Sequence, residues 1–258
     1  MDQKNKKPFK YLYFLQQMIA RDIKKKYYKS VLGLLWTILN PLLMMLVITI
    51  VFSTLFKRNI GNYPVYYMCG SLLFGFNSGS TTQSLHSMIA NSALLRKIYV
   101  PKYMFVLSPI AVNLVNLFFS LIALFVVMLV TGLPFTSYLL LIPIPIVLIT
   151  IFTTGVSLIL STYGVFFRDL DHLYSVFVTA WMYLTPIFYP ISIIPKKFLF
   201  LFELNPLYHF VNIFRDLVYS GVMPSQKNLL IAVCYASITF LMGVVTFKTN
   251  EDKFYLYI

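Results

Sequence analysis

Long apolar runs alternate with short basic or polar breaks along this chain. Runs cover residues 31–56, 64–84, 103–130, 138–163, 173–189 and 229–247. A bilayer core takes about 20 apolar residues per helix, so the pattern predicts an all-α membrane protein with six transmembrane helices. Residues 1–30 read differently. Phe9, Leu12, Tyr13, Ile19, Ile23 and Tyr27 recur at helical spacing, with Lys10, Arg21, Lys24 and Lys25 mostly off that stripe. This predicts an amphipathic helix lying in the membrane interface. The chain therefore divides into a cytoplasmic interfacial element, 1–30, and a six-span domain, 31–258.

Within the runs, local chemistry marks breaks and contacts. Asn40-Pro41 inside the first run predicts a kink, because proline removes a backbone hydrogen bond. Residues 57–62 form a short outer loop. Ser71, Gly75 and Gly79 recur every four residues in the second run, a spacing that lets helices approach closely. Asn113 and Asn116 share one face of the third. Gly132 and Pro134 turn the chain, and Pro143 and Pro145 stand near the start of the fourth run. The run at 173–189 is short for a span. Residues 191–227 are aromatic and apolar but interrupted by Lys196-Lys197, Glu203, Asn205-Pro206 and Arg215-Asp216. Two short helices dipping back into the membrane, broken at Asn205-Pro206, satisfy that pattern; a further crossing is the alternative.

Charge then sets the orientation. With the N-terminus inside, 15 of the 21 Lys and Arg residues fall on inner segments and 6 on outer ones. Both termini are therefore expected on the cytoplasmic side of the membrane. Only 11% of residues are charged and 59% are apolar, with a mean hydropathy of +0.78. Soluble domains carry about 25% charged residues; six helices of about 20 residues use roughly half the chain and leave no room for a soluble catalytic domain. The net charge of +13 does not point to nucleic acid, because the basic residues flank apolar runs. Cys69 and Cys234 lie in apolar runs and form no disulfide framework. The first apolar run starts late and is long, unlike a cleavable signal.

The candidate chemistry is defined by what is missing. All eight acids lie outside the six apolar runs, whereas ion-coupled transporters place ionisable groups within the bilayer. The sequence has no Gly-x-x-x-x-Gly-Lys-Ser/Thr loop to cradle ATP phosphates. It has no paired carboxylates, metal-ligand cluster or nucleophile arrangement, and His86, His172 and His209 stand apart. Energy for uphill transport is expected from another chain.

Five stretches carry a family resemblance. They are Ser30 to Trp36 with Asn40-Pro41-Leu42; Asn91 with Leu94-Leu95-Arg96-Lys97 and Pro101; Phe166 to Leu170; Thr185 to Tyr189; and Asn205-Pro206 followed by Phe214-Arg215. In this order and spacing the chain resembles the membrane subunits of type-two ABC exporters for polysaccharides: the O-antigen, capsule, teichoic-acid and rhamnose-polysaccharide permeases. The resemblance implies a homodimer in the bacterial plasma membrane, joined by two copies of a separate ATPase. ATP and magnesium would sit on that ATPase, and this chain would bind no cofactor. The implied substrate is a polyprenyl-diphosphate-linked glycan moved outward.

The resemblance also assigns residues. The basic break at 91–103 becomes the segment that couples to the ATPase, through Asn91, Leu94, Leu95, Arg96, Lys97 and Pro101. Its apolar Leu94, Leu95 and Ile98 would press into the partner; a solvated loop with lipid-facing lysines is the alternative. Residues 187–220 become re-entrant outer gate helices, with Pro186, Glu203, Asn205, Pro206 and Arg215 at the gate. An amphipathic pair flat on the outer surface is the alternative there. Arg21, Lys24, Lys25, Lys26 and Lys29 could attract the lipid diphosphate, or simply anchor the helix to anionic lipid. Arg168 is a further phosphate candidate, unless it pairs with Asp169 or Asp171. Aromatic residues make up 17% of the chain. Trp36, Tyr66, Tyr67, Trp181, Tyr183 and Tyr189 are candidates for a glycan channel, against a role in packing or the interfacial belt. Rival functions are export of drugs or other small molecules, lipid-linked sugar transfer, and a structural assembly role. A transferase would need an acidic or metal cluster, for which only Asp169 and Asp171 offer material.

Overall fold

The computed structural model describes residues 7–28, 30–56, 60–97 and 100–257, and among these it is helical with no strands. Lys29, the loop residues 57–59, and Ile98 with Tyr99 lie outside the described residues. The long helices are α1 (Lys7–Tyr27), α2 (Trp36–Phe56), α3 (Tyr63–Ala90), α5 (Tyr103–Val130), α6 (Pro143–Phe166), α7 (Leu170–Leu184) and α10 (Gln226–Asn250). Shorter ones are α4 (Ser92–Lys97), α8 (Leu199–Glu203), α9 (Pro206–Arg215) and α11 (Phe254–Tyr257). A π-helical turn, Asp216–Ser220, extends α9.

Among the described residues, four helical stretches are long and apolar enough to cross a membrane: Gly33–Phe52, Tyr103–Val130, Ser137–Phe166 and Gln226–Lys253. The other two runs read as spans behave differently, for separate reasons. Helix α7 has 15 residues, roughly 22 Å at 1.5 Å per residue, short of a bilayer core. Helix α3 has 28 residues but is rich in Gly, Ser and Thr. Much of its polar stretch points into the protein. Asn77, Ser80, Thr81 and Ser84 are fully buried, and α3 packs against α2, α5, α6, α7 and α9. Thr153 of α6 donates to Asn77 Oδ1 at 2.9 Å, and the Tyr174 hydroxyl of α7 donates to Thr81 Oγ1 at 2.7 Å. The polarity that lowers the hydropathy of α3 is therefore what ties it to its neighbours.

Prolines sit where helices accept them. Pro143 opens α6 and Pro206 opens α9, positions whose N–H would be unpaired anyway. Pro41 lies inside α2 without ending it. Two apolar clusters fill the bundle. The larger joins α3, α5, α6, α9 and α10 around Phe152, Phe210 and Phe214. The smaller, at the other end, gathers Met18, Met88, Leu95, Phe105, Val165, Phe247 and Phe254. It draws α1, α4 and the chain's C-terminal turn together.

Candidate functional site

At the end of the bundle nearest α1, a cleft of about 660 Å³ opens between α1, the last turns of α3 and the start of α5. Its walls carry Arg21, Lys25 and Lys26 from α1, and Gln83, His86 and Asn91 from the end of α3. Asp22 fixes the cationic wall. Its Oδ1 accepts from Arg21 Nε at 2.9 Å, and its Oδ2 accepts from Ser108 Oγ of α5 at 3.1 Å. Arg21 Nη2 also donates to Asn91 Oδ1 at 3.2 Å. On the far wall, His86 Nε2 lies 3.0 Å from Asp171 Oδ1, linking α3 to the first turn of α7. The neighbours that crowd the Lys26 ammonium push its pKa below the usual lysine value.

Asn91 is also the hinge between two helices. It caps the C-terminus of α3, its amide donating to Ser87 O at 2.8 Å. Its own carbonyl accepts from Leu94 N and Leu95 N at 3.0 Å, which starts α4. Helix α4 then turns Leu95 inward, 5% exposed, onto Met88, Phe105 and Val106. Leu94 packs on the same cluster. This differs from the sequence expectation that both leucines face a partner. Ala93, Arg96 and Lys97 form the exposed side of α4 instead. The physical reason is plain: two leucines on a short helix have an apolar cluster of their own chain within reach. Pro101 lies just ahead of α5, its carbonyl accepting from Met104 N. Lys102 Nζ donates to Glu251 O and lies over the Phe254 ring, which pins this joint to the C-terminal turn.

A second constellation occupies the opposite end. Arg215 is 6% exposed, and its guanidinium sits 3.6 Å from the Tyr66 ring centroid. It donates to the carbonyls of Tyr66 and Ile187. Tyr66 Oη donates to Tyr189 O at 2.9 Å and reaches Pro186 O at 3.5 Å. Asn205 makes four contacts. It accepts from Trp181 Nε1 at 2.7 Å and from Leu207 N at 3.0 Å, capping α9. It donates to Leu184 O and Thr185 Oγ1. The turn at 185–190 is thus held from α3 and from both ends of α9.

The structure brings Arg21 and Lys25 together with Asn91, but Lys24 does not line the cleft. Arg168 is exposed in the turn between α6 and α7 and pairs with neither nearby aspartate; Asp171 pairs with His86. Of the gate candidates, Pro186, Asn205, Pro206 and Arg215 meet around the 185–190 turn. Glu203 does not: it is ion-paired with Lys227 at 3.6 Å on the surface. Among the aromatic candidates, Tyr66 and Trp181 use their polar atoms within the chain. Tyr67 is buried against Phe188, and Tyr189 Oη donates to Tyr183 O. Trp36 and Tyr183 remain partly exposed, 37% and 60%. Sequence reasoning passed over Asp22, His86 and Ser108. Asp22 carried a signal, as the one acid on a helix otherwise charged with Lys and Arg.

Comparison with known proteins bears on this arrangement. The family model described as ABC-2 type transporter matches residues 13–219. The O-antigen export system permease protein RfbA of Klebsiella pneumoniae is 32% identical over 237 residues, 91% of this chain and 88% of that protein. The protein of the same name from Myxococcus xanthus is 28% identical, covering 95% of each chain. The polysialic acid transport protein KpsM of Escherichia coli is 23% identical over 92% of this chain and 93% of its own.

Proposed function

This chain belongs to the ABC-2 type transporter family, and we propose that it is the membrane subunit of an ATP-driven polysaccharide exporter. The observation that carries this is the 32% identity with an O-antigen export permease across 91% of the chain. The family match, residues 13–219, spans both the cleft beside α1 and the turn at 185–190, so it is not confined to generic spans. The proposed substrate is a glycan carried on a polyprenyl diphosphate, moved outward across the bacterial plasma membrane. ATP and magnesium would bind two copies of a separate ATPase, docked beneath a homodimer of this chain.

Six crossings with both termini cytoplasmic are the topology this reading takes. Helix α3 is long enough at 28 residues, with Asn77, Ser80, Thr81 and Ser84 turned inward. Helix α7 would cross with help from the α8–α9 pair, which re-enters from the outer side. Non-helical backbone such as 185–190 is tolerated at depth only when buried in protein or lining a cavity. The bonds from Tyr66, Asn205 and Arg215 support such a buried outer gate. Helix α1 would lie in the inner interface, with its lysines toward lipid headgroups. The exposed Arg96 and Lys97 of α4 would face the ATPase.

The test is depletion in the native cell. Polyprenyl-diphosphate-linked glycan on the inner leaflet is quantified beside surface glycan. Inner accumulation with surface loss is expected. Loss of both would mean synthesis rather than export, and no change in either would overturn the reading.

A further inference from the structure

The cleft beside α1 sets three cations, Arg21, Lys25 and Lys26, against one acid, Asp22. The remaining ionisable group on its wall, His86, is turned to Asp171. The balance favours an anion with several oxygens. Arg21 is the cation that also bonds across to the opposite wall, at the side chain of Asn91, on which the end of α3 and the start of α4 both hang.

We propose that the cleft binds a diphosphate group and that the occupant competes with Asn91 for the Arg21 guanidinium, so that occupancy is signalled to α4. The proposal rests on the reading of this chain as an exporter of lipid-linked glycan. Asp22 is braced by Ser108 and holds Arg21 through Nε and Nη2. The bond to Asn91 is longer, 3.2 Å, and its acceptor is a neutral amide. An ionised phosphate oxygen adds the attraction of opposite charges, which the neutral amide oxygen of Asn91 lacks, and it suits the planar fork of an arginine. A phosphate arriving in the cleft therefore takes the guanidinium from Asn91 rather than from Asp22. Released, Asn91 Oδ1 no longer ties the α3–α4 hinge to α1. The helix whose exposed side carries Arg96 and Lys97 is then tied to α1 through its apolar contacts with the Met18–Leu95 cluster, which can slide without breaking a polar bond. Substrate arrival and motor engagement become linked equilibria, each strengthening the other.

The experiment uses the full permease–ATPase complex in zwitterionic vesicles, reading ATPase rate against added anion. Three additions are compared: inorganic pyrophosphate in solution, a polyprenyl diphosphate in the bilayer, and phosphatidylglycerol. Stimulation by either diphosphate is expected. A response to phosphatidylglycerol alone, or to none of them, overturns the proposal. Asn91→Ala removes the competitor and lowers the half-stimulating concentration. Asn91→Asp strengthens the competitor and raises it. Each shift should be about two- to fivefold, the scale of a half-exposed charge contact. Arg21→Ala abolishes the response, and Arg21→Lys restores part of it. Shifts of the same sign in both Asn91 variants, or a wild-type response in Arg21→Ala, overturn the latch. Surface glycan is followed in the same strains. Export that needs this chain but is indifferent to Arg21→Ala refutes the latch while leaving the exporter reading intact.

Discussion

The guanidinium of Arg215 lies 3.6 Å from the ring centroid of Tyr66, and the same tyrosine's hydroxyl reaches past it to the carbonyl of Tyr189. One residue of α3 thus serves a buried cation with its face and an irregular turn with its tip. Gly70, one turn further along α3, makes room for the arrangement: a Cβ there would sit 3.0 Å from Arg215 Nη2.

The two services of Tyr66 can be separated. Tyr66→Phe keeps the ring under Arg215 and loses the bond to Tyr189 O, at a cost of about 1 kcal/mol. Tyr66→Leu also removes the ring face and should cost about 2 kcal/mol more, since a desolvated cation–π contact is lost. Thermal unfolding of the purified protein in detergent should rank wild type above Phe above Leu. Equal melting of the Phe and Leu variants would mean that the ring contact contributes nothing.

Asn205 caps α9 and satisfies Trp181 Nε1 at once. Asn205→Ala should cost about 1 kcal/mol for the cap. Orphaning the indole N–H adds about 1–3 kcal/mol. Asn205→Asp retains both acceptor contacts but loses the donations to Leu184 O and Thr185 Oγ1, so it should fall between Ala and wild type. Limited proteolysis across 185–205 is the readout, with the Ala variant cleaved fastest. Equal cleavage of all three would remove Asn205 as the organiser of this turn.

The tightest helix crossing lies at Gly155 and Gly243. A Cβ on Gly243 would come within 2.4 Å of Gly155 O, and one on Gly155 within 2.4 Å of Thr239 backbone. Either glycine changed to Ala forces α6 and α10 apart, an overpacking cost of about 1–3 kcal/mol. Gly75→Ala is the control, because nothing lies within 4 Å of its Cβ position. Melting temperature should drop for the first two and hold for the third; a drop in Gly75→Ala of equal size would contradict the packing described.

That contrast shows what the sequence could disclose. Apolar runs placed the long helices to within a few residues, because burial in lipid leaves a compositional trace. The Asn205-Pro206 break was legible because a capping side chain followed by proline has one local meaning. The stripe Ser71, Gly75, Gly79 read as a close-contact face. Yet Gly75 meets nothing, and Gly79 meets only the Asn113 side chain. Gly155 and Gly243 stand about a third of the chain apart, so no local spacing could pair them. The Arg21–Asn91 bond was hidden for the same reason. Leu95 was misjudged because a short leucine-bearing helix looks the same whether it faces a partner or its own core.

Helix α4 offers the sharpest separation of folding from coupling. Leu95 is 5% exposed in the cluster with Met88 and Phe105. Leu95→Asp would bury an unpaired carboxylate there, a change that costs several kcal/mol or forces protonation. It should lower the yield of folded protein, with or without the ATPase. Arg96 and Lys97 are exposed on the opposite side. A double change, Arg96→Glu with Lys97→Glu, reverses the charge of that face and leaves the cluster intact. Monodispersity in gel filtration should be preserved, while co-purification of the ATPase falls about tenfold or more, as expected when like charges meet across an interface. Loss of monodispersity in the double variant would place those residues in the fold. Undiminished co-purification would remove α4 from the docking surface.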